Sequence, residues 1–183
     1  MHDHVLSPQA CLSLQEYASD LKSKNMFKLA SVGRRLQKKR AKAIRGDLIH
    51  WIEDWQVLPA LAAYKVFVDE LILFCRRVLF LQAKRFEGQL AWYPKGTYYR
   101  RHLDQHVGQR HRQLSCMLYF NSWEPGFGGE LKIYPSQEEA VEISPMAGRF
   151  VCFRSMDLEH EVLKTNYDRL SLVGWIRDDI IVF

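Results

Sequence analysis

The chain has no long uninterrupted apolar run and no paired-cysteine motif, and each absence argues against a class of protein. The most apolar stretch, residues 57–83, carries five charged side chains, which is too many for a membrane-spanning helix. The four cysteines stand apart as Cys11, Cys75, Cys116 and Cys152, so no CxxC pair suggests a structural zinc site. We expect four free thiols and no association with a membrane.

The N-terminus also lacks a basic region followed by a long apolar run, which is the pattern of a signal peptide. We therefore expect a cytoplasmic protein, where thiols stay reduced. Repeats and low-complexity segments are absent as well. The 26 basic and 21 acidic residues give a net charge of +5, a mild excess that permits an acidic partner without requiring one.

The composition is that of a globular domain, and its first part is predicted to be helical. With 183 residues, 48% of them hydrophobic, the chain can bury a sizeable core. Ser7 and Pro8 form a typical helix start, and apolar spacing continues that helix to about Ser23. A second helix is expected from about Pro59 to Gln82.

Short segments of β-branched and aromatic residues dominate the rest of the chain. Residues 47–52 have strand character, and seven more strands are predicted after residue 86. The seven cover residues 87–93, 98–104, 113–120, 129–134, 148–153, 159–163 and 168–176. Helices followed by a run of short strands favour a mainly β core supported by helices.

One predicted strand ends in the pattern His-x-Asp, at His102 and Asp104. Residues two apart on a strand project from the same face, so this imidazole and this carboxylate could meet one metal ion. A later strand supplies His160. Two histidines and one carboxylate are the facial triad of non-haem Fe(II) oxygenases, which leaves metal positions open for a chelating co-substrate and O₂.

Arg169, nine residues beyond His160, is the candidate partner for a carboxylate of such a co-substrate. Arginine can hold a carboxylate through two parallel charge-assisted hydrogen bonds. Strand parity places Arg169, Ser171, Val173 and Trp175 on one face. That mixture of polar and aromatic residues suits a polar ligand inside a barrel.

Other histidines and a basic segment leave alternatives open. His106 lies four residues from His102, which would be a zinc pair on a helix, but the flanking β-branched and aromatic residues favour a strand. Isolated His50 and His111 are more often structural or on the surface. Residues 33–45 include seven basic side chains, which suggests a nucleic-acid patch or a solvated loop; the lack of interleaved aromatics favours the loop.

Over about residues 86–177 the sequence resembles the prolyl hydroxylase branch of the 2-oxoglutarate (2OG) oxygenases, which includes the hypoxia-inducible-factor prolyl hydroxylases and their bacterial relatives. The family pattern YPxGxxYxxHxD stands here as YPKGTYYRRHLD. Further family segments stand as MLYFNSW, GGELKIYP and HEVLKTNYDRLSLVGW. Upstream, IRGDLIHW is similar to a family segment as well.

This resemblance implies a double-stranded β-helix, or jelly roll, packed against N-terminal helices. It implies one oxygenase domain over 1–183, in which 1–85 would supply helical support and the substrate entrance, and 86–177 the core. It also implies a strand and a loop near residues 27–45.

The resemblance further implies roles for single residues. His102, Asp104 and His160 would bind iron, and Arg169 and Tyr119 would hold the distal carboxylate of 2OG. The other residues of the co-substrate pocket would be Tyr93, Met117, Leu131 and Trp175. The residues of the peptide entrance would be Arg45, Asp47 and Trp51.

The activity implied by the resemblance is hydroxylation of a prolyl residue, at C4, in a protein substrate. The enzyme would use Fe(II), 2OG and O₂, bind ascorbate in support, and release succinate and CO₂. Nucleic-acid demethylation and hydroxylation of a non-prolyl residue are alternatives within the same chemistry, and a non-catalytic cupin-like binding module is the alternative outside it. We expect a monomer with a protein partner, and nucleic acid stays open as a second partner.

Overall fold

A computed structural model of the chain describes residues 1–30, 44–105 and 110–180. Most of the basic segment 33–45 lies outside the described residues, and so does His106. Within the described ranges the chain forms two helices and ten strands. Neither of these helices combines the length and apolarity that a membrane span needs.

The first helix, α1 (Pro8–Ser23), has the bounds that the sequence predicts. The hydroxyl of Ser7 accepts a hydrogen bond from the Ala10 amide at 3.2 Å, which satisfies one of the free amides of the first turn. Pro8 occupies the first turn, where its missing amide costs nothing.

The second helix, α2 (Pro59–Arg77), is shorter than the sequence predicts, because it ends at Arg77 and not at Gln82. The Val78 amide still bonds to the Phe74 carbonyl at 2.8 Å. Phe80 then takes a positive φ of 52°, a left-handed conformation that a right-handed helix cannot continue. Apolar residues continue past this point, which explains why the helical pattern extends too far in the sequence.

The strands in chain order are β1 (Lys28–Leu29), β2 (Leu48–Trp51), β3 (Arg85–Tyr93), β4 (Tyr99–His102), β5 (Arg112–Tyr119), β6 (Leu131–Tyr134), β7 (Val141–Ile143), β8 (Phe150–Arg154), β9 (Glu159–Val162) and β10 (Arg169–Arg177). Eight of them match the predicted strands to within a few residues. Strand β7 has no predicted counterpart, because three residues, two of them exposed, give too short an alternation.

The strands form two antiparallel sheets. The major sheet has the order β1-β2-β3-β10-β5-β8, and the minor sheet has the order β4-β9-β6-β7. Two facing antiparallel sheets with non-sequential neighbours are the architecture of a jelly roll. The predicted mainly β fold with helical support is therefore confirmed.

Strand β10 lies inside the major sheet between β3 and β5, and its two faces differ. On the outer face, Leu172 and Ile176 are fully buried in the core that the sheet shares with both helices. On the inner face, Val173 packs with residues of β5 and of the minor sheet, and Ser171 and Trp175 have the same parity. The candidate site lies on this inner face.

All four cysteines are free thiols, as predicted. Cys116 on β5 and Cys152 on β8 are direct cross-strand partners, with sulfur atoms 3.6 Å apart. A disulfide requires about 2.05 Å, so this pair is a contact between thiols.

Candidate functional site

His102, Asp104 and His160 converge between the two sheets. His102 ends β4, His160 lies on β9, and the register of these strands makes the two histidines direct partners with ring centroids 4.3 Å apart. The two carboxylate oxygens of Asp104 lie 3.4 Å from Nε2 of His102 and 3.6 Å from Nε2 of His160. One candidate ligand atom from each residue falls within 4.8 Å of the others, so the three could hold one metal ion.

Backbone carbonyls fix the tautomer of both imidazoles. Nδ1 of His102 donates to the Arg100 carbonyl at 2.8 Å, and Nδ1 of His160 donates to the Leu158 carbonyl at 3.2 Å. A carbonyl can only accept, so each Nδ1 carries a proton, and in the neutral imidazole the lone pair is then on Nε2. Nε2 is thus the nitrogen of each ring that approaches Asp104 and that is left for a metal.

Two buried serines hold the Asp104 carboxylate. The Ser115 hydroxyl donates to Asp104 at 2.6 Å, and the Ser155 hydroxyl lies 2.8 Å from that of Ser115. Burial alone would raise the pKa of the Asp104 carboxyl, but both imidazoles and the Ser115 hydroxyl outweigh it and hold this pKa well below its usual range. Asp104 is therefore an anion at neutral pH, as a metal ligand must be.

His160 is the most deeply buried residue of the three, and Phe153 meets its ring edge-on at 4.8 Å between centroids. Burial lowers the pKa of His160 to about 4, against an ordinary value of 6.5. The imidazole is neutral at physiological pH, so no proton competes with a metal for Nε2.

Two of the three residues predicted for the peptide entrance pair with each other, and one of them reaches the candidate metal centre through Tyr99. Arg45 and Asp47 make a two-point ion pair at 2.7 and 2.5 Å, and the Arg45 guanidinium lies 4.1 Å from the Tyr99 ring. Tyr99 stacks on His102 with centroids 3.7 Å apart. Trp51 is 44% exposed. The entrance role of these three residues stays a prediction.

Arg169 lies on the inner face of β10 and is buried, with 3% of its surface exposed. Its guanidinium lies 4.9 Å from the Tyr93 ring and 5.0 Å from the Tyr119 ring, and one terminal nitrogen donates to Ser171 at 3.2 Å. Nε has no hydrogen-bond partner among the described residues. A buried cation with a spare donor fits an anionic ligand, and the carboxylate of 2OG is such a ligand.

The other residues predicted for the co-substrate pocket are also buried on facing strands. Met117 and Tyr119 on β5 and Leu131 on β6 belong to one apolar cluster between the sheets. Burial raises the pKa of the Tyr119 phenol, although the charge of Arg169 opposes that rise. The phenol therefore keeps its proton and can donate a hydrogen bond. Trp175 lies at the other end of β10, where it pairs with Ser115.

Several residues that shape the site were not predicted from the sequence, and only some of them carry a local signal. Ser115 has a detectable signal, since it is two residues before Met117 on one strand face. Gly129 has a positive φ of 75°, and a Cβ there would meet the Arg169 side chain at 2.8 Å, so the GGEL pattern could have indicated it. Ser155 and the stacking of Tyr99 depend on contacts between distant segments and carry no local signal.

Fold and donor set together define a class. A jelly roll whose interior holds two imidazoles, a carboxylate and a buried arginine has the parts of a 2OG-Fe(II) oxygenase. In agreement, the sequence model of the 2OG-Fe(II) oxygenase superfamily matches residues 88–177. The chain is a 2OG-dependent dioxygenase, and this class implies Fe(II) and 2OG as cofactors.

Solved structures narrow the class to a family. The chain is 33% identical to a prolyl-4-hydroxylase from Pseudomonas putida, with a TM-score of 0.86 over 98% of this chain and 91% of that one. It is 26% identical to a Trichoplax adhaerens prolyl hydroxylase solved with a hypoxia inducible factor peptide, with a TM-score of 0.86 over 97% and 82%. A viral collagen prolyl hydroxylase from Paramecium bursaria Chlorella virus-1 shares the fold at 18% identity, with a TM-score of 0.65 over 97% and 94%. The chain belongs to the prolyl hydroxylase family of the 2OG-Fe(II) oxygenases.

Proposed function

We propose that this oxygenase hydroxylates a prolyl residue of a protein substrate at C4, with release of succinate and CO₂. The observation that carries the proposal is the 33% identity to a prolyl-4-hydroxylase over 98% of the chain, combined with a complete donor set. The Trichoplax relative binds a peptide, which supports a peptide substrate here. The proposal includes a monomeric enzyme and ascorbate as a supporting reductant.

The metal site would be formed by His102, Asp104 and His160. Fe(II) bound there, together with 2OG and O₂, supplies the oxidising power that replaces an unactivated C–H bond by C–OH. The protein contributes arranged ligands: Nδ1 of each imidazole donates to a backbone carbonyl, which leaves Nε2 for the metal, and Ser115 holds the carboxylate of Asp104. The groups that hydrogen-bond to metal ligands are commonly worth about 10–100-fold in metal affinity or activity.

Arg169 and Tyr119 would position the co-substrate. The guanidinium offers Nε and a terminal nitrogen, and the protonated phenol of Tyr119 lies beside it. Both groups donate, so they suit a carboxylate, which only accepts. The apolar side chains of Met117 and Leu131 keep water from this region and so protect the reaction from side products.

The experiment that tests the proposal locates the inserted oxygen. Purified enzyme with Fe(II), 2OG and ascorbate is incubated with a cell lysate under ¹⁸O₂ or ¹⁶O₂, and peptides and nucleosides are then searched for one added oxygen atom whose mass follows the isotope. We expect the label on proline, and hydrolysed product should co-elute with 4-hydroxyproline rather than 3-hydroxyproline. Label found solely on nucleobases or on other residue types would contradict the proposal.

A further inference from the structure

Besides Nε of Arg169, two polar atoms on the inner face of the major sheet are buried and form no hydrogen bond with any residue that the structure describes. They are the carbonyl oxygen Oε1 of Gln89 and the indole nitrogen Nε1 of Trp175. The two residues are only 3% and 6% exposed. Buried polar atoms without a partner are rare in folded proteins, because each loses its bonds to water without replacement. One hydrogen-bond acceptor and one donor are thus available to a ligand.

Strand register places these two residues near each other on one face of the sheet. Gln89 on β3 is the direct partner of Trp51 on β2 and of Val173 on β10, and Trp175 lies two residues beyond Val173 on the same face. The indoles of Trp51 and Trp175 meet across β3, with centroids 6.2 Å apart. The Gln89 side chain therefore lies beside this indole pair.

The same place adjoins the candidate metal centre. Trp175 is the direct partner of Ser115 on β5, and Ser115 donates to the metal-binding candidate Asp104 at 2.6 Å. Neighbouring strands are only about 4.8 Å apart, so Gln89 lies about two strand spacings from Ser115. Trp51 is 44% exposed, so the place also borders solvent. A molecule bound there would reach from the surface towards the metal.

The chemistry of the two atoms selects the ligand. The oxygen of Gln89 needs a hydrogen-bond donor, and 2OG at neutral pH has none. A peptide main chain offers both N–H donors and C=O acceptors, which are the complements of one acceptor and one donor. The Arg112 guanidinium lies 3.4 Å from the centre of the Trp175 ring and covers one face of the indole.

We propose that Gln89 and Trp175 bind the substrate main chain beside the oxidised residue. Oε1 of Gln89 accepts from a peptide N–H, and Nε1–H of Trp175 donates to a peptide carbonyl. This inference rests on the proposed peptide substrate. It adds a binding site that recognises the main chain of the substrate and not its side chains.

The first test uses a defined probe and does not require turnover. Protein with ¹⁵N-labelled tryptophan, loaded with Zn(II) and 2OG, is titrated with the capped peptide acetyl-Ala-Pro-Ala-amide, and the indole resonances are followed by NMR. The Trp175 resonance, assigned from Trp175→Phe, should move downfield and saturate, and Gln89→Met should weaken that response. A Trp175 resonance that stays in place, or that moves only with a methylated nucleoside, overturns the inference.

The second test is kinetic and uses the peptide that the oxygen mapping identifies. Gln89→Met removes the acceptor at similar side-chain length, so KM for this peptide should rise about three- to ten-fold, the value of one hydrogen bond, with KM for 2OG unchanged. Gln15→Met is the matched control, since Gln15 donates to the Phe120 carbonyl at 2.7 Å from helix α1. Equal peptide KM in wild type and Gln89→Met overturns the inference while the proposed function stands. If no peptide is hydroxylated, the proposed function fails and the NMR titration alone decides.

Discussion

The two faces of β10 show how one strand can serve packing and ligand binding at once. On the outer face, Leu172 and Ile176 are fully buried among apolar neighbours, and these side chains have no polar atom that requires a hydrogen-bond partner. On the inner face, Arg169 and Trp175 each keep a buried nitrogen without a partner among the described residues. The outer face therefore stabilises the fold, while the inner face gives up stability to keep bonding capacity for ligands.

This comparison predicts that substitutions on the two sides will have separable effects. Substitutions on the inner side should alter the binding of metal, co-substrate or substrate and leave the free energy of unfolding nearly unchanged. Substitutions on the outer side should lower the free energy of unfolding and leave ligand binding unchanged. The Arg154–Asp157 ion pair, whose side chains are 50% and 48% exposed, offers matched controls for both charged residues of the site.

The largest effect is expected from Asp104→Ala. Since even outer partners of metal ligands are worth about 10–100-fold, loss of a ligand should lower succinate formation by more than about 100-fold. Iron content and succinate release measure the effect. Asp157→Ala, which removes an exposed carboxylate, should keep wild-type turnover. Full turnover in Asp104→Ala would show that Asp104 is not a metal ligand.

The next effect tests the outer face. Leu172→Ala creates a cavity in the core behind the sheet and should lower the free energy of unfolding by about 2–5 kcal/mol. Urea denaturation measures the loss, and KM for 2OG should stay unchanged below the unfolding transition. Leu170→Ala, at a half-buried site on the same face, should cost less. A changed 2OG requirement in Leu172→Ala would show that the two faces are not separable.

A smaller effect is expected from Arg169→Ala. Loss of a charge-assisted contact to the co-substrate should cost about 1.5–3 kcal/mol of binding, which raises KM for 2OG about ten- to 150-fold. The free energy of unfolding of the metal-free protein should change little, because the change also removes a buried donor without a partner. Release of ¹⁴CO₂ from labelled 2OG measures KM, with Arg154→Ala as the control. An unchanged dependence on 2OG contradicts the predicted role.

The parts of the site that depend on local spacing could be predicted from the sequence. The two-residue spacing of His102 and Asp104 predicted that both side chains face the same metal site. They do so, although β4 ends at His102 and Asp104 lies just beyond the strand. Strand parity likewise placed Arg169 and Trp175 on one face. The mainly β core followed from the run of short strands, and the jelly roll followed from the family resemblance that the quoted motifs carry; both are confirmed.

The parts that depend on pairing between distant segments could not be predicted. The support of Asp104 by Ser115 spans eleven residues and depends on how β5 aligns with the loop after β4. The stack of Arg45 on Tyr99 depends on a bridge between the segment before β2 and strand β4. Periodicity reports which way a side chain points, and it does not report what lies opposite.

The direct partnership of His102 and His160 limits how this chain can vary in length. Side chains alternate along a strand, so inserting one residue into β9 ahead of His160 would turn that imidazole outward and present a glutamate to the metal instead. Natural insertions and deletions should therefore avoid β4 and β9. The connection at residues 135–140, between β6 and β7, is exposed throughout, so we expect it to tolerate a change in length.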